Sequence, residues 1–191
     1  TLTRSLVEAL AKAGVNRLSV GAQSRQLRLL RLIGRIHCWE DVIASVAAAK
    51  EAGIRNVNLD LMLGLPTQTI TDVQETLAAA LALSPTHLSC YSLMLEEGTP
   101  IHRDIAEGTL ALPDDEIERT MYESTRQMLS EHGFEQYEIS NFARKGYACR
   151  HNIGCWTRAP YLGFGCAAHS FFGQYRTSNS PTLDAYLAGE E

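Results

Sequence analysis

Ala13-Gly14-Val15-Asn16-Arg17-Leu18-Ser19-Val20 and Ala52-Gly53-Ile54-Arg55-Asn56-Val57-Asn58-Leu59 are two copies of one pattern. Each follows a stretch with apolar residues at helical spacing: Leu2, Leu6, Val7 and Leu10 before the first, Val42, Ile43, Val46 and Ala49 before the second. Each glycine stands where a helix closes in a left-handed cap. Each β-rich run that follows, over 15–20 and 54–63, reads as a strand. Helix, glycine, strand, repeated, is the signature of a parallel βα architecture. The strands are dense in Leu, Val and Ile on both parities, which predicts a sheet covered on both faces. A doubly wound sheet and a (β/α)₈ barrel both fit. No G-x-G-x-x-G follows a strand, so the simplest dinucleotide-binding reading is removed.

Working outward, Thr71 and Gln74 form a capping-box pattern ahead of Val73, Leu77 and Leu81, and Ser84-Pro85 stops that helix. Residues 87–93 read as a third strand. Residues 97–112 are loop-like, and Pro113 falls in the first turn of a long helix over 114–132. Residues 134–142 read as one more strand. A segment rich in Gly, Cys, His and aromatics closes the chain. These readings divide it into 1–109, a set of βα units; 110–145, a long helix and strand; and 146–191, an α+β extension.

The 191 residues carry 17 Lys and Arg against 22 Asp and Glu, a net charge of −5, which disfavours generic nucleic-acid binding. Hydrophobic residues make up 45%, enough for a sizeable core. No apolar run reaches the roughly 18 residues of a membrane span. Glu8 and Lys12 interrupt any secretory leader at the start. The cysteines, Cys38, Cys90, Cys149, Cys155 and Cys166, are odd in number and scattered, which argues against a disulfide framework and for a reducing, cytoplasmic setting. The chain begins at Thr1 rather than Met, in the manner of a piece of a longer protein.

In parallel βα folds ligands bind outside the carboxyl ends of the strands. Gln23, Asp60, Met62 and Met94 lie there. Asp60 is flanked by apolar residues. A carboxylate in such a run needs hydrogen bonds or a positive partner, so it serves either a neighbouring loop or a ligand. Gly64-Leu65-Pro66 shapes the turn that follows. Arg35 is either a solvated loop residue or the partner of a ligand carboxylate. The run Cys149-Arg150-His151-Asn152-Ile153-Gly154-Cys155 lacks the spacing of a structural zinc site. Cys155 and Cys166 read as small buried residues. His151, in a polar turn before Trp156 and Gly163-Phe164-Gly165, is a structural histidine or a ligand to a planar iron compound.

Three segments together are more specific. Arg17-Leu18-Ser19-Val20-Gly21-Ala22-Gln23-Ser24, Leu32-Ile33-Gly34-Arg35-Ile36-His37 and Asn58-Leu59-Asp60-Leu61-Met62-Leu63-Gly64-Leu65-Pro66 resemble the middle of a radical S-adenosylmethionine protein of the oxygen-independent coproporphyrinogen III oxidase group. Tyr137-Glu138-Ile139-Ser140-Asn141-Phe142-Ala143, His151-Asn152-x-x-Cys155-Trp156 and Tyr161-x-Gly163-x-Gly165-Cys166-Ala167-Ala168-His169-Ser170 resemble its HemW-type haem chaperone branch. The resemblance covers nearly the whole chain, in order. It implies a partial parallel (β/α) barrel of radical SAM type with a C-terminal α+β extension.

It also implies roles. Gln23 and Asp60 would bind the ribose hydroxyls of S-adenosylmethionine. Arg35 would pair with the methionyl carboxylate. Met62 would pack on the adenine, and the backbone near Met94 would read its edge. His151 would handle haem. Haem-accepting proteins are the implied partners, with peripheral membrane association and dimerisation as further expectations. The chain departs from the family in two ways. Cys155 stands where the motif has Tyr. The Cys-x3-Cys-x2-Cys motif that holds a [4Fe–4S] cluster is absent, and in the family it lies upstream of the matched region, so this segment alone is expected to be inactive. Two alternatives are the oxidase itself, which decarboxylates two propionates, and a cluster-free nucleoside-binding fragment. A barrel with three or four of its eight units has open edges, which predicts self-pairing or aggregation.

Overall fold

The computed structural model describes residues 2–189. They divide after Ala148 into two compact units.

The first unit is built from the repeated pattern. Helix α1 (Arg4–Lys12) starts at Thr3, whose hydroxyl accepts the Leu6 amide. Gly14, at φ +91°, closes it and lets the Val15 amide reach back to the Leu10 carbonyl. Strand β1 (Arg17–Gln23) follows. Helix α3 (Trp39–Glu51), after the short α2 (Leu27–Leu32), ends in the same way: Gly53 sits at φ +88° and the Ile54 amide bonds the Ala49 carbonyl. Only glycine takes this backbone without strain. Strand β2 (Asn56–Leu63), helix α4 (Ile70–Ala82) and strand β3 (His87–Ser92) complete the parallel part. Helices α5 (Pro100–Ala106) and α6 (Asp115–Glu131) lead to two short strands, β4 (Glu135–Gln136) and β5 (Asn141–Ala143).

The strands form one sheet in the order β1-β2-β3-β5-β4. β1, β2 and β3 are parallel, β5 pairs antiparallel with β3, and β4 pairs antiparallel with β5. The fold class is therefore mixed α/β with a parallel sheet, open among the described residues at β1 and β4.

Register and burial correct one expectation about this sheet. The Leu and Val side chains of its strands fall on one parity only. Val20 and Ala22, Val57, Leu59, Leu61 and Leu63, Leu88 and Cys90, and Phe142 are buried on one face. Val7, Val42, Val46, Val73, Leu77, Met121 and Leu129 from the helices join them in a single core cluster. The opposite face carries Ser19 and Gly21, Asn58, Asp60 and Met62, His87 and Ser89, and Asn141. Ile54 and Val15, which suggest apolar residues on both parities, precede the strands.

Several local expectations are also corrected. The cap of α4 is Thr69, not Thr71, with Asp72 in place of Gln74: the Thr69 hydroxyl accepts the Asp72 amide (3.1 Å) and the Asp72 carboxylate accepts the Thr69 amide (2.8 Å). A carboxylate that also binds Arg28 at 2.5 Å makes the stronger cap. Pro113 precedes the cap of α6 rather than entering its first turn, because the Asp114 carboxylate takes the Ile117 amide. Residues 97–112 contain α5, which starts from Thr99 and Pro100. Residues 134–142 are not one strand: the Glu138 carboxylate accepts the Ser140 amide and turns the chain between β4 and β5.

The second unit consists of α7 (Arg150–Trp156), the antiparallel pair β6 (His169–Phe172) and β7 (Tyr175–Ser178), and α8 (Leu183–Ala188). The polar turn expected around His151 is the helix α7.

Candidate functional site

The polar face of the sheet is a connected hydrogen-bond network. Asp60 stands at its centre. Its Oδ2 accepts the Ser19 hydroxyl (2.9 Å) and its Oδ1 accepts the Asn58 amide (2.7 Å). Asn58 Nδ2 also lies 2.6 Å from Ser19 Oγ. On its other side, Asn58 Oδ1 faces His87 Nδ1 at 2.6 Å, and His87 Nε2 meets the Tyr137 hydroxyl at 2.6 Å. Ser89 continues the face to Asn141 (2.7 Å), and Asn141 bonds Glu138. Asn58, His87, Ser89 and Asn141 are all buried. Polar groups out of water need partners, and here each supplies the next.

A bulge in β1 brings Gln23 to this centre. The register with β2 slips between Gly21 and Gln23, and Gln23 adopts φ +54°. Gln23 thereby folds back over Gly21. A Cβ on Gly21 would lie 2.7 Å from Gln23 Nε2, so a side chain there would push the Gln23 carboxamide aside. Gly21 is the register partner of Asp60. The Gln23 carboxamide and the Asp60 carboxylate therefore occupy neighbouring positions on one face. Gln23 is buried, and its Oε1 has no hydrogen-bond partner. A buried acceptor without a donor costs about 1–3 kcal/mol, which a hydroxyl-bearing ligand would recover.

Arg35 lies in the loop between α2 and α3. It lines a cleft of about 460 Å³ with Ser19, Gly21 and His37, and is in no ion pair among the described residues. His37 Nε2 lies 3.3 Å from the Ala22 carbonyl and holds this loop against β1. Met62 is half-buried on the polar face opposite Tyr91. Met94 is 82% exposed beyond the end of β3, away from any packed surface. The structure thus brings Gln23, Asp60 and Met62 to one face and Arg35 to a cleft shared with Ser19, while Met94 stands outside.

Burial pushes His87 down to about 4, with the nearby Arg17 charge adding to it. Desolvation, helped by the Asp60 carboxylate, pushes the Cys90 thiol up to about 12. His87 is thus a neutral hydrogen-bonding element, and Cys90 is inert core. Sequence reasoning missed Ser19, Asn58 and His87. Their signal was the polar alternation at 19/21, 58/60 and 87/89.

In the second unit His151 is exposed on α7 and its Nε2 lies 3.8 Å from Cys155 Sγ, one turn on. Cys155 is exposed and Cys166 half-buried, contrary to the expectation that both are core; the buried cysteines are Cys90 and Cys149. Among the described residues no group of three or more His, Cys, Asp or Glu is placed to hold a metal ion.

The structure is a parallel βα core whose acceptor-rich polar face lies beside a loop carrying Arg35, a candidate ligand site. The Radical SAM superfamily model matches residues 1–80. The heme chaperone HemW of Bacillus subtilis is 41% identical over 186 residues, 97% of this chain and 49% of that protein. The heme chaperone HemW of Synechocystis is 42% identical over 171 residues, 87% of this chain and 42% of that protein. In structure the chain resembles the coproporphyrinogen III oxidase HemN of Escherichia coli, a radical SAM enzyme, with a TM-score of 0.79 and 24% identity over 98% of this chain and 46% of that one. The fold is thus that of a radical SAM protein.

More narrowly, the chain is similar over nearly its whole length to proteins of the HemW-type branch of the radical SAM superfamily. It spans about half the length of the curated relatives it matches.

The superfamily implies S-adenosylmethionine and a [4Fe–4S] cluster. The polar face fits the first, because the orphaned Gln23 Oε1 and the Asp60 carboxylate offer acceptors to a ribose diol. The five cysteines do not fit the second, since among the described residues they are not gathered at one place with other metal-binding side chains.

Proposed function

We propose that this chain is the central part of a haem chaperone that binds S-adenosylmethionine on the polar face of its sheet and haem through its second unit. The observation that carries the reading is the 41% identity to a heme chaperone over 97% of the chain. For the oxidase reading the support is a shared fold at 24% identity.

In this reading Gln23 and Asp60 take the ribose hydroxyls. Asp60 is the two-oxygen acceptor, held in orientation by Ser19 and Asn58. Arg35 pairs with the methionyl carboxylate, and Met62 packs on the adenine. Met94 contributes through its backbone, given its exposed side chain. Bound S-adenosylmethionine would supply a reactive sulfonium, and these residues position and desolvate it.

Residues 1–145 would supply the barrel part with its long helix and strand, and 146–191 the start of the region that holds haem through His151. Haem-accepting proteins are the partners. The protein works in the cytoplasm, at times at the membrane surface; no helix among the described residues is long and apolar enough to cross a membrane. The open β1 edge offers a route to dimers.

Titration of the full-length protein with haem tests the reading. A Soret shift that His151→Ala abolishes is expected. No shift in the parent protein would overturn it.

A further inference from the structure

We infer that Arg158 and Arg176 form a carboxylate-binding subsite that grips the propionates of haem. The inference rests on the haem reading above and names the part of the ligand this pocket takes.

Both arginines line a concavity of about 310 Å³ in the second unit, with Cys155, Tyr161, Phe171 and Gln174. No acidic residue lines it. The Arg158 guanidinium lies 5.5 Å from the centre of the Phe171 ring, and Arg176 is the register partner of Phe171 across β6 and β7. Tyr161 is bridged to Phe171 by two backbone hydrogen bonds, 2.8 and 2.9 Å. Neither arginine is in an ion pair among the described residues. In a chain of net charge −5, two such cations over an aromatic floor mark a site for an anion on a flat ligand.

The backbone supports a built site. Arg158 sits at φ +60° and Gln174 at φ +81°. Gln174 is the second residue of the two-residue turn between Phe172 and Tyr175, a position that favours glycine. Two side-chain-bearing residues in left-handed backbone both face this one pocket. Such strain concentrates where ligands are held.

The pocket adjoins the iron-binding candidate. Cys155 lines it, and Cys155 Sγ lies 3.8 Å from His151 Nε2. A planar iron compound held at His151 would bring one edge towards the two guanidinium groups. Haem carries its two carboxylates on one edge.

The test uses the full-length protein, haem and haem dimethyl ester, whose carboxylates are blocked. Binding is read from the Soret band. The parent protein should bind haem at least about tenfold more tightly than the ester. Arg158→Gln with Arg176→Gln should remove that preference while keeping a Soret band that depends on His151. Arg158→Lys with Arg176→Lys should keep part of it and report an intact fold. Equal affinity of the parent for both ligands, or a Gln pair that still prefers haem as the parent does, overturns the subsite and leaves the haem reading standing. Absence of any Soret shift in the parent overturns both.

Discussion

His87 Nδ1 lies 2.6 Å from Asn58 Oδ1, deep under a sheet whose next strand carries Asp60. An amide oxygen only accepts, so His87 carries its proton on Nδ1. Its Nε2 is then the acceptor for the Tyr137 hydroxyl, 2.6 Å away. From Tyr137 through His87 and Asn58, every donor points towards the Asp60 carboxylate. Three side chains from two strands and a turn thus fix the orientation of one acceptor.

Stability should fall with acid because of His87. Its ordinary pKa is 6.5 and burial lowers it to about 4 in the fold. Between those values the unfolded chain binds the proton and the native one does not. The contribution is complete above pH 6.5 and is lost as pH falls towards 4, on the order of 3 kcal/mol in all. Urea unfolding at pH 7.5 and 4.5 measures it. His87→Asn should flatten that slope; an unchanged slope would remove His87 as its cause.

Asp60→Asn and Gln23→Leu should each weaken S-adenosylmethionine binding to the full-length protein by about tenfold to a hundredfold. Calorimetric titration is the measurement. Unchanged affinity in both variants would place the nucleoside elsewhere.

Asn58→Leu should separate positioning from folding. It removes the amide that joins Asp60 to His87. Leaving Asp60 and His87 short of partners should cost about 1–3 kcal/mol. Asn58→Asp retains the acceptor for His87 but sets a second carboxylate beside Asp60. It should bind S-adenosylmethionine less well than the parent even where thermal unfolding shows a folded protein.

Asp72→Ala should destabilise the first unit by about 1–2 kcal/mol, through the cap of α4. Burial works against the Asp72 carboxylate, yet the Thr69 bonds and Arg28 hold its pKa below the ordinary value. The stabilisation is therefore present above pH 3.8 and is lost as pH falls below it. A parent and variant of equal unfolding midpoint at pH 7 would show that the cap is redundant.

Thiol labelling at pH 8 should reach Cys155, which is exposed, and spare Cys90, which is buried and raised to about 12. Haem should protect Cys155, because its sulfur lies beside His151. Labelling of Cys155 at the same rate with and without haem would put the ligand away from α7.

Much of this was legible in the chain itself. The helix–glycine–strand repeat is local chemistry: apolar spacing sets the helices, and Gly14 and Gly53 close them by backbone freedom alone. Placing Gln23, Asp60 and Met62 at the carboxyl ends of strands followed from the parallel architecture. Short elements escaped, because α2, α5, β4 and β5 are too brief to show a period. The cap at Thr69 escaped because its strength comes from Arg28, 44 residues away.

By itself the sequence determined the order of the long helices and the parallel strands, their parallel pairing and the family resemblance, all of which rest on neighbours in the chain. Tertiary structure alone decided what the polar residues do. Asn58 and His87 become a relay only when β2 and β3 pair in register, and Gln23 reaches Asp60 only through the bulge in β1. Hydrogen bonds act over about 3 Å, and contacts between residues some 30 positions apart exist only once the sheet has formed.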